Sequence, residues 1–121
     1  MTIHLTIDKI EQCYQCYKHD DYRFITSTIN PTSAKMMIRW FTTILNNQLW
    51  KTNVSTNQCV TLLKLIYNDY GLTRTQEVYS TLLISLDYRL RKHNEPKITA
   101  RSAIAKQLAD LVELDLQKNT P

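Results

Sequence analysis

The chain has 121 residues, one glycine and a formal net charge of +4. Soluble proteins carry roughly 7% glycine, so about eight would be expected, and with Gly71 alone a P-loop, a dinucleotide fingerprint and a G-x-S-x-G elbow cannot be written. Hydrophobic residues make up 43% and charged residues 21%, which argues against disorder, and no apolar run approaches the roughly 20 residues of a membrane span.

The first predicted element is a helix from Ile7 to about His19, capped by Thr6. Ile7, Ile10, Cys13, Tyr14 and Tyr17 recur at helical spacing and form its apolar face. Asp20 and Asp21 end the pattern. Tyr22 to Ile29 is rich in aromatic and β-branched residues, which favour strands. A lone strand has nothing to pair with, so a short helix or an extended connector is expected there. Asn30-Pro31 marks the next start, a good cap before proline at the first helical position. This helix is predicted to run to about Leu49, with Met37, Trp40, Phe41, Ile44 and Leu45 inward, extended by Ile38 and Leu49.

Ser55-x-x-Gln58 reads as a capping box that opens a helix to Tyr70. Apolar residues from Cys59 to Tyr70 surround most of it, leaving Thr61, Lys64 and Asn68 as a polar stripe. Such a helix is buried by several neighbours, which places it at the centre. Gly71 follows where a left-handed cap is wanted. Thr73-x-x-Gln76 reads as a second capping box, with Tyr79, Leu82, Leu83, Leu86 and Leu90 inward along a helix to about Lys92. His93 to Pro96 is the expected turn. Thr99 is the expected cap of a last helix to about Leu116, whose core face is Ile104, Ala105, Leu108, Leu111 and Val112. Lys118 to Pro121 reads as a frayed tail. The sum is one all-α domain over residues 1–121, a compact bundle of about five helices.

Three cysteines and no basic-then-apolar leader at Met1 point to a reducing cytoplasm. Cys13-x-x-Cys16-x-x-His19 has ligand types for zinc, with Cys59 or His4 to complete a site. On a helix, however, steps of three residues rotate backward by roughly 60° each. Cys13 then reads as core, Cys16 as flank and His19 as surface, so packing is the favoured reading and no metal or cofactor is expected. Asp20-Asp21 beside His19 could suggest a carboxylate–histidine pair, but adjacent acids more often end a helix. No catalytic motif remains, and the chain is not expected to be an enzyme. Ala103 to Ala109 has the rhythm of the first helix of a helix-turn-helix regulator. No turn or recognition helix follows, and Asp110, Glu113 and Asp115 would repel phosphate.

Cations cluster unevenly. Arg89, Arg91, Lys92, Lys97, Arg101 and Lys106 lie close together, with Glu95 the only acid among them. Lys35 and Arg39 form an i, i+4 pair, and Lys64 lies on the central helix's polar stripe. These nine residues are the expected contacts to a nucleic-acid backbone. Tyr22, Tyr88 or Trp50 could stack on bases if exposed. Ile84 and Tyr88 fall off the core face of their helix and are the expected contacts to a partner protein.

A small, basic, five-helix domain of this kind resembles in architecture the small helical subunits of CRISPR effector ribonucleoproteins. The resemblance spans the chain and rests on size, helix count and charge. It implies a non-catalytic subunit of a larger cytoplasmic complex, touching nucleic-acid backbone through Lys and Arg and packing on other protein subunits. The alternative reading is an adaptor, inhibitor or immunity-type protein acting through a helical surface.

Overall fold

The computed structural model describes residues 5–51, 54–93 and 97–119, with the side chains of 88–93 and 97–99 outside that description. Three helices begin where a side chain accepts backbone N–H groups that have no partner within the helix. Thr6 caps α1 (Ile7–His19), its hydroxyl accepting from the Lys9 N–H. Asn30 caps α2 (Pro31–Leu45), its Oδ1 accepting from Thr32 and Ser33. Ser55 caps α3 (Thr56–Tyr70) in a complete capping box: Ser55 Oγ accepts from the Gln58 N–H at 3.1 Å, and Gln58 Oε1 accepts from the Ser55 N–H at 2.6 Å. Then come α4 (Leu72–His93) and α5 (Lys97–Lys118). Between α1 and α2 lies a single 3-10 turn, Tyr22–Phe24. No strand occurs among the described residues, and the fold is all-α.

Helices α3, α4 and α5 pack on one another as a three-helix bundle. The α1–α2 pair lies against it, α1 on α3 and α2 on α4. The shared core runs from Ile10, Cys13 and Tyr14 through Met37, Trp40, Phe41 and Ile44 to Leu62, Leu63, Ile66, Val78, Leu82 and Ile104. Tyr14 meets Phe41 edge-on with ring centroids 5.4 Å apart, and Trp40 lies the same distance from Phe41. Two tyrosines fasten the chain's outer helices to α3. Tyr14 of α1 donates its hydroxyl to Asp69 at 2.8 Å, and Lys18 pairs with the same carboxylate at 3.0 Å. Tyr67 of α3 donates to Asp115 of α5 at 3.1 Å, with the Lys118 ammonium 4.9 Å from its ring.

Helix α1 ends at Asp20, in the left-handed region. Helix α2 stops at Leu45, short of the expected Leu49, which is 48% exposed. The reason is local. Asn47 adopts φ 58°, and the N–H groups of Asn47 and Gln48 turn back to the carbonyls of Ile44 and Thr43. This is the Schellman closure usually built on glycine. Asp and Asn tolerate the left-handed region through short polar side chains, so Asp20 and Asn47 stand where a glycine-rich chain would place Gly. Arg74 of α4 serves the freed end, donating to the Leu45 carbonyl and to Asn47.

Gly71 has the expected positive φ of 85°, but its ψ of −178° is extended rather than left-handed helical. It serves two helices. Its N–H closes α3 on the Tyr67 carbonyl, and its carbonyl accepts the Thr75 N–H and hydroxyl at the start of α4. Helix α4 therefore begins at Leu72, and Thr73 is inside it rather than its cap. An added Cβ at Gly71 meets nothing within 4 Å, so Gly71→Ala tests the backbone alone. We expect a loss of about 1–3 kcal/mol, read from urea denaturation. A stability unchanged by the substitution would mean that this joint is not held at positive φ.

Several faces differ from the periodic reading. Ile7 and Tyr70, at the ends of α1 and α3, are exposed, and so is Ala105. Cys16 is buried rather than flanking. Thr61 is buried at 6% exposure, so the polar stripe of α3 narrows to Lys64 and Asn68. Val78, Thr75, Thr81 and Ser85 join the buried face of α4. Helix α5 begins at Lys97, which puts Thr99 inside it, and it continues to Lys118. The expected turn at 94–96 and the inward placement of the Leu90 side chain lie outside the described residues.

Candidate nucleic-acid interface

The cysteines give no metal centre among the described residues. Cys13, Cys16 and Cys59 are all buried. Burial, reinforced by the neighbouring Cys16, pushes the Cys13 thiol from 9.0 up to about 12, and burial likewise raises Cys16. A redox nucleophile needs the opposite shift, towards thiolate. His19 is exposed and stacked on Phe24, its ring centroid 5.5 Å away, so Cys13, Cys16 and His19 are not arranged as a ligand set. Asp20 ends its helix and Asp21 pairs with Arg23 at 2.7 Å, which leaves neither poised to orient the histidine.

The raised thiols have a consequence for stability. A group whose folded pKa lies above its unfolded value stabilises fully below the unfolded value, and that contribution is lost as pH climbs towards the folded one. The window for Cys13 is therefore pH 9 to about 12. Tyr14 and Tyr17, both raised chiefly by burial, act with the same sign. The melting temperature should fall as pH rises from 8 to 11. The slope set by one such thiol is about 1.4 kcal/mol per pH unit. Cys13→Ala should flatten the decline, and an unchanged slope would remove the thiol from the explanation.

Residues 97–118 form one uninterrupted helix. The sharp turn of a helix-turn-helix is absent from it. The basic corner is only partly described. Arg89, Arg91 and Lys92 lie in the last turns of α4, and Lys97 opens α5, but their side chains and that of Tyr88 are outside the described residues. Lys106 is exposed. Arg101 is bound to Asp87, an ion pair that would have to break before a phosphate could replace it.

Lys64 is exposed but electrostatically compromised. It opens onto a groove it shares with Glu11 on one side and onto another lined by Asp110 and Glu113. Neither groove is acid-free. Two polar residues grouped with it, Thr61 and Asn68, line the first of these.

Helix α2 carries the contrasting surface. Lys35 and Arg39 are exposed one turn apart. Arg39 lines a groove of about 310 Å³ with Met36, Thr43, Leu49, Trp50 and Lys51. Lys35 lines a neighbouring groove with Tyr22, Ile25, Pro31 and Ala34. No carboxylate of the described residues lines either groove. Lys35, Arg39 and Lys51 have no ion-pair partner among the described residues. The cause lies in the sequence: between Asp21 and Asp69 there is no acidic residue at all, while Arg23, Lys35, Arg39, Lys51 and Lys64 fall within that run. Counting missing acids, rather than clustered bases, is the signal that finds this face and adds Lys51 to it.

The groove floor is held in place from below. Trp50 is 9% exposed, which removes it as a stacking platform. Its backbone N–H donates to Ser85 Oγ of α4 at 3.0 Å and pins the segment after α2. The Thr43 hydroxyl donates to the Arg39 carbonyl, so its proton is already committed. The Lys and Arg side chains are left as the charged donors of this face. Tyr22 is exposed beside Lys35, and Ile84 is exposed on α4. No helix of the described residues is long and apolar enough to cross a membrane. No protein-family model, curated protein or solved structure matches this chain.

Proposed function

We propose that this chain is a non-catalytic subunit that binds the phosphate backbone of nucleic acid through the outer face of α2, with Lys35, Arg39 and Lys51 as the principal contacts. One observation carries the reading: these three exposed cations line two grooves that no described carboxylate lines, and they have no carboxylate partner among the described residues. Cations so placed can exchange counterions for phosphates without first breaking an internal ion pair. The likeness in size, helix count and charge to the small helical subunits of CRISPR effectors points the same way, towards a clamp in a larger ribonucleoprotein. Arg89, Arg91, Lys92, Lys97 and Lys106 are further candidate contacts.

The test is electrophoretic mobility shift of a labelled oligonucleotide at 50 and 200 mM salt. About three phosphate contacts give a salt slope of about −2.1 on single strands and about −2.7 on duplex, so the fourfold rise in salt should weaken binding by about 20- to 40-fold. No shift at the lower salt would sink the proposal. It would favour the second reading, a protein-binding adaptor, for which Ile84 at 55% exposure on α4 is the specific support.

A further inference from the structure

The groove beside Lys35 has a composition that backbone binding does not require. Tyr22 is 58% exposed, although an aromatic side chain gains most from burial. It forms one wall of a groove of about 270 Å³ whose other walls are Ile25, Pro31 and Ala34, with Lys35 the only charged residue among the described ones that line it. The ring is carried on an ordered support. Asp21 accepts the Arg23 N–H and grips the Arg23 guanidinium. The Ile25 N–H closes the 3-10 turn on the Tyr22 carbonyl, and Ile29 anchors the connector in the core. Asp21, the carboxylate built into this support, is thus already paired with Arg23.

A flat, largely apolar ligand with an anionic attachment fits such a place. We infer that the Tyr22 groove takes an unpaired nucleobase, stacked on the Tyr22 ring, while Lys35 and Arg39 hold the adjoining phosphates. The ligand class is therefore single-stranded nucleic acid rather than duplex, because a duplex hides its base faces in its own stack. This rests on the backbone-binding reading above and adds to it a discrimination that Lys and Arg alone do not supply. Stacking tolerates any base, so the preference is for strandedness and not for sequence.

The experiment compares four ligands by fluorescence anisotropy at 50 mM salt: a single-stranded DNA, the same sequence as single-stranded RNA, its blunt duplex, and an abasic strand of equal length. The wild-type chain should bind both natural single strands more tightly than the duplex or the abasic strand. Tyr22→Ala should lose roughly tenfold or more on the natural single strands and nothing on the other two, and Tyr22→Phe should keep the wild-type pattern. Equal affinity for natural and abasic strands, or a Tyr22→Ala chain that binds single strands like the wild type, would overturn the stacking inference while leaving backbone binding intact. A chain that binds none of the four overturns both.

Discussion

Replacing Lys35, Arg39 and Lys51 together with glutamate is expected to weaken oligonucleotide binding on the order of 100-fold at low salt, and to flatten the remaining salt dependence. Each exchange removes a positive charge and installs a repulsive one, beside grooves that no described carboxylate lines. The side chains are exposed and have no ion-pair partner among the described residues, so far-ultraviolet circular dichroism and the melting temperature should stay near those of the parent chain. Lys64→Glu is the matched control. That lysine already faces Glu11, Asp110 and Glu113 across its grooves, and its reversal should matter far less. If the triple variant bound as tightly as the wild type, the α2 face would not be the interface. A loss found instead with Arg89, Arg91 and Lys92 would move it to the α4–α5 corner.

The second large effect concerns the core. Trp40 is fully buried on α2, against Phe41 and within the cluster that joins the α1–α2 pair to the bundle. Trp40→Ala should cost about 3–5 kcal/mol, a large share of the 5–15 kcal/mol typical of whole domains. Urea denaturation followed by circular dichroism would measure it. Trp40→Phe is the informative companion. The Trp40 Nε1–H is buried and has no hydrogen-bond partner among the described residues. Removing an unsatisfied donor recovers its desolvation penalty, about 1–3 kcal/mol, which offsets part of the lost packing. Phenylalanine should therefore cost less than half of what alanine does. Equal losses would mean that the indole nitrogen contributes nothing to the balance.

The helix starts that were legible in the chain were those written in side chains. Thr6, Asn30 and Ser55 each accept backbone N–H groups, and a cap of that kind acts locally, so its residue type suffices to find it. The starts of α4 and α5 were not legible in that way. Gly71 supplies the first α4 acceptor through its own carbonyl, which made the downstream Thr73 a decoy. The end of α2 depended on Asn47 taking a left-handed conformation, a choice that Asn permits without announcing. Burial of Thr61 was illegible for a different reason: periodicity assigns polar residues to solvent, and the neighbouring helices decide otherwise.

Charge shows the same division. Lys35 and Arg39 could be paired from their spacing, because α2 is long and regular. Arg101 looked available until the fold brought Asp87 to it from α4. Lys51 lies outside any periodic element, so spacing gives it no signal, yet it completes the groove with Arg39.

The single-residue joint at Gly71 has one more consequence, a mechanical one. With no linker between them, α3 and α4 act as one bent strut. The segment bearing Lys51 is tied to that strut through Trp50 and Ser85, and the C-terminus of α2 is tied to it through Arg74. The proposed contact surface is thus mounted at two points on a stiff frame rather than carried on a free loop. A surface held this way gives up little motion when it is occupied. Variants along it should consequently differ in how fast a ligand leaves much more than in how fast it arrives.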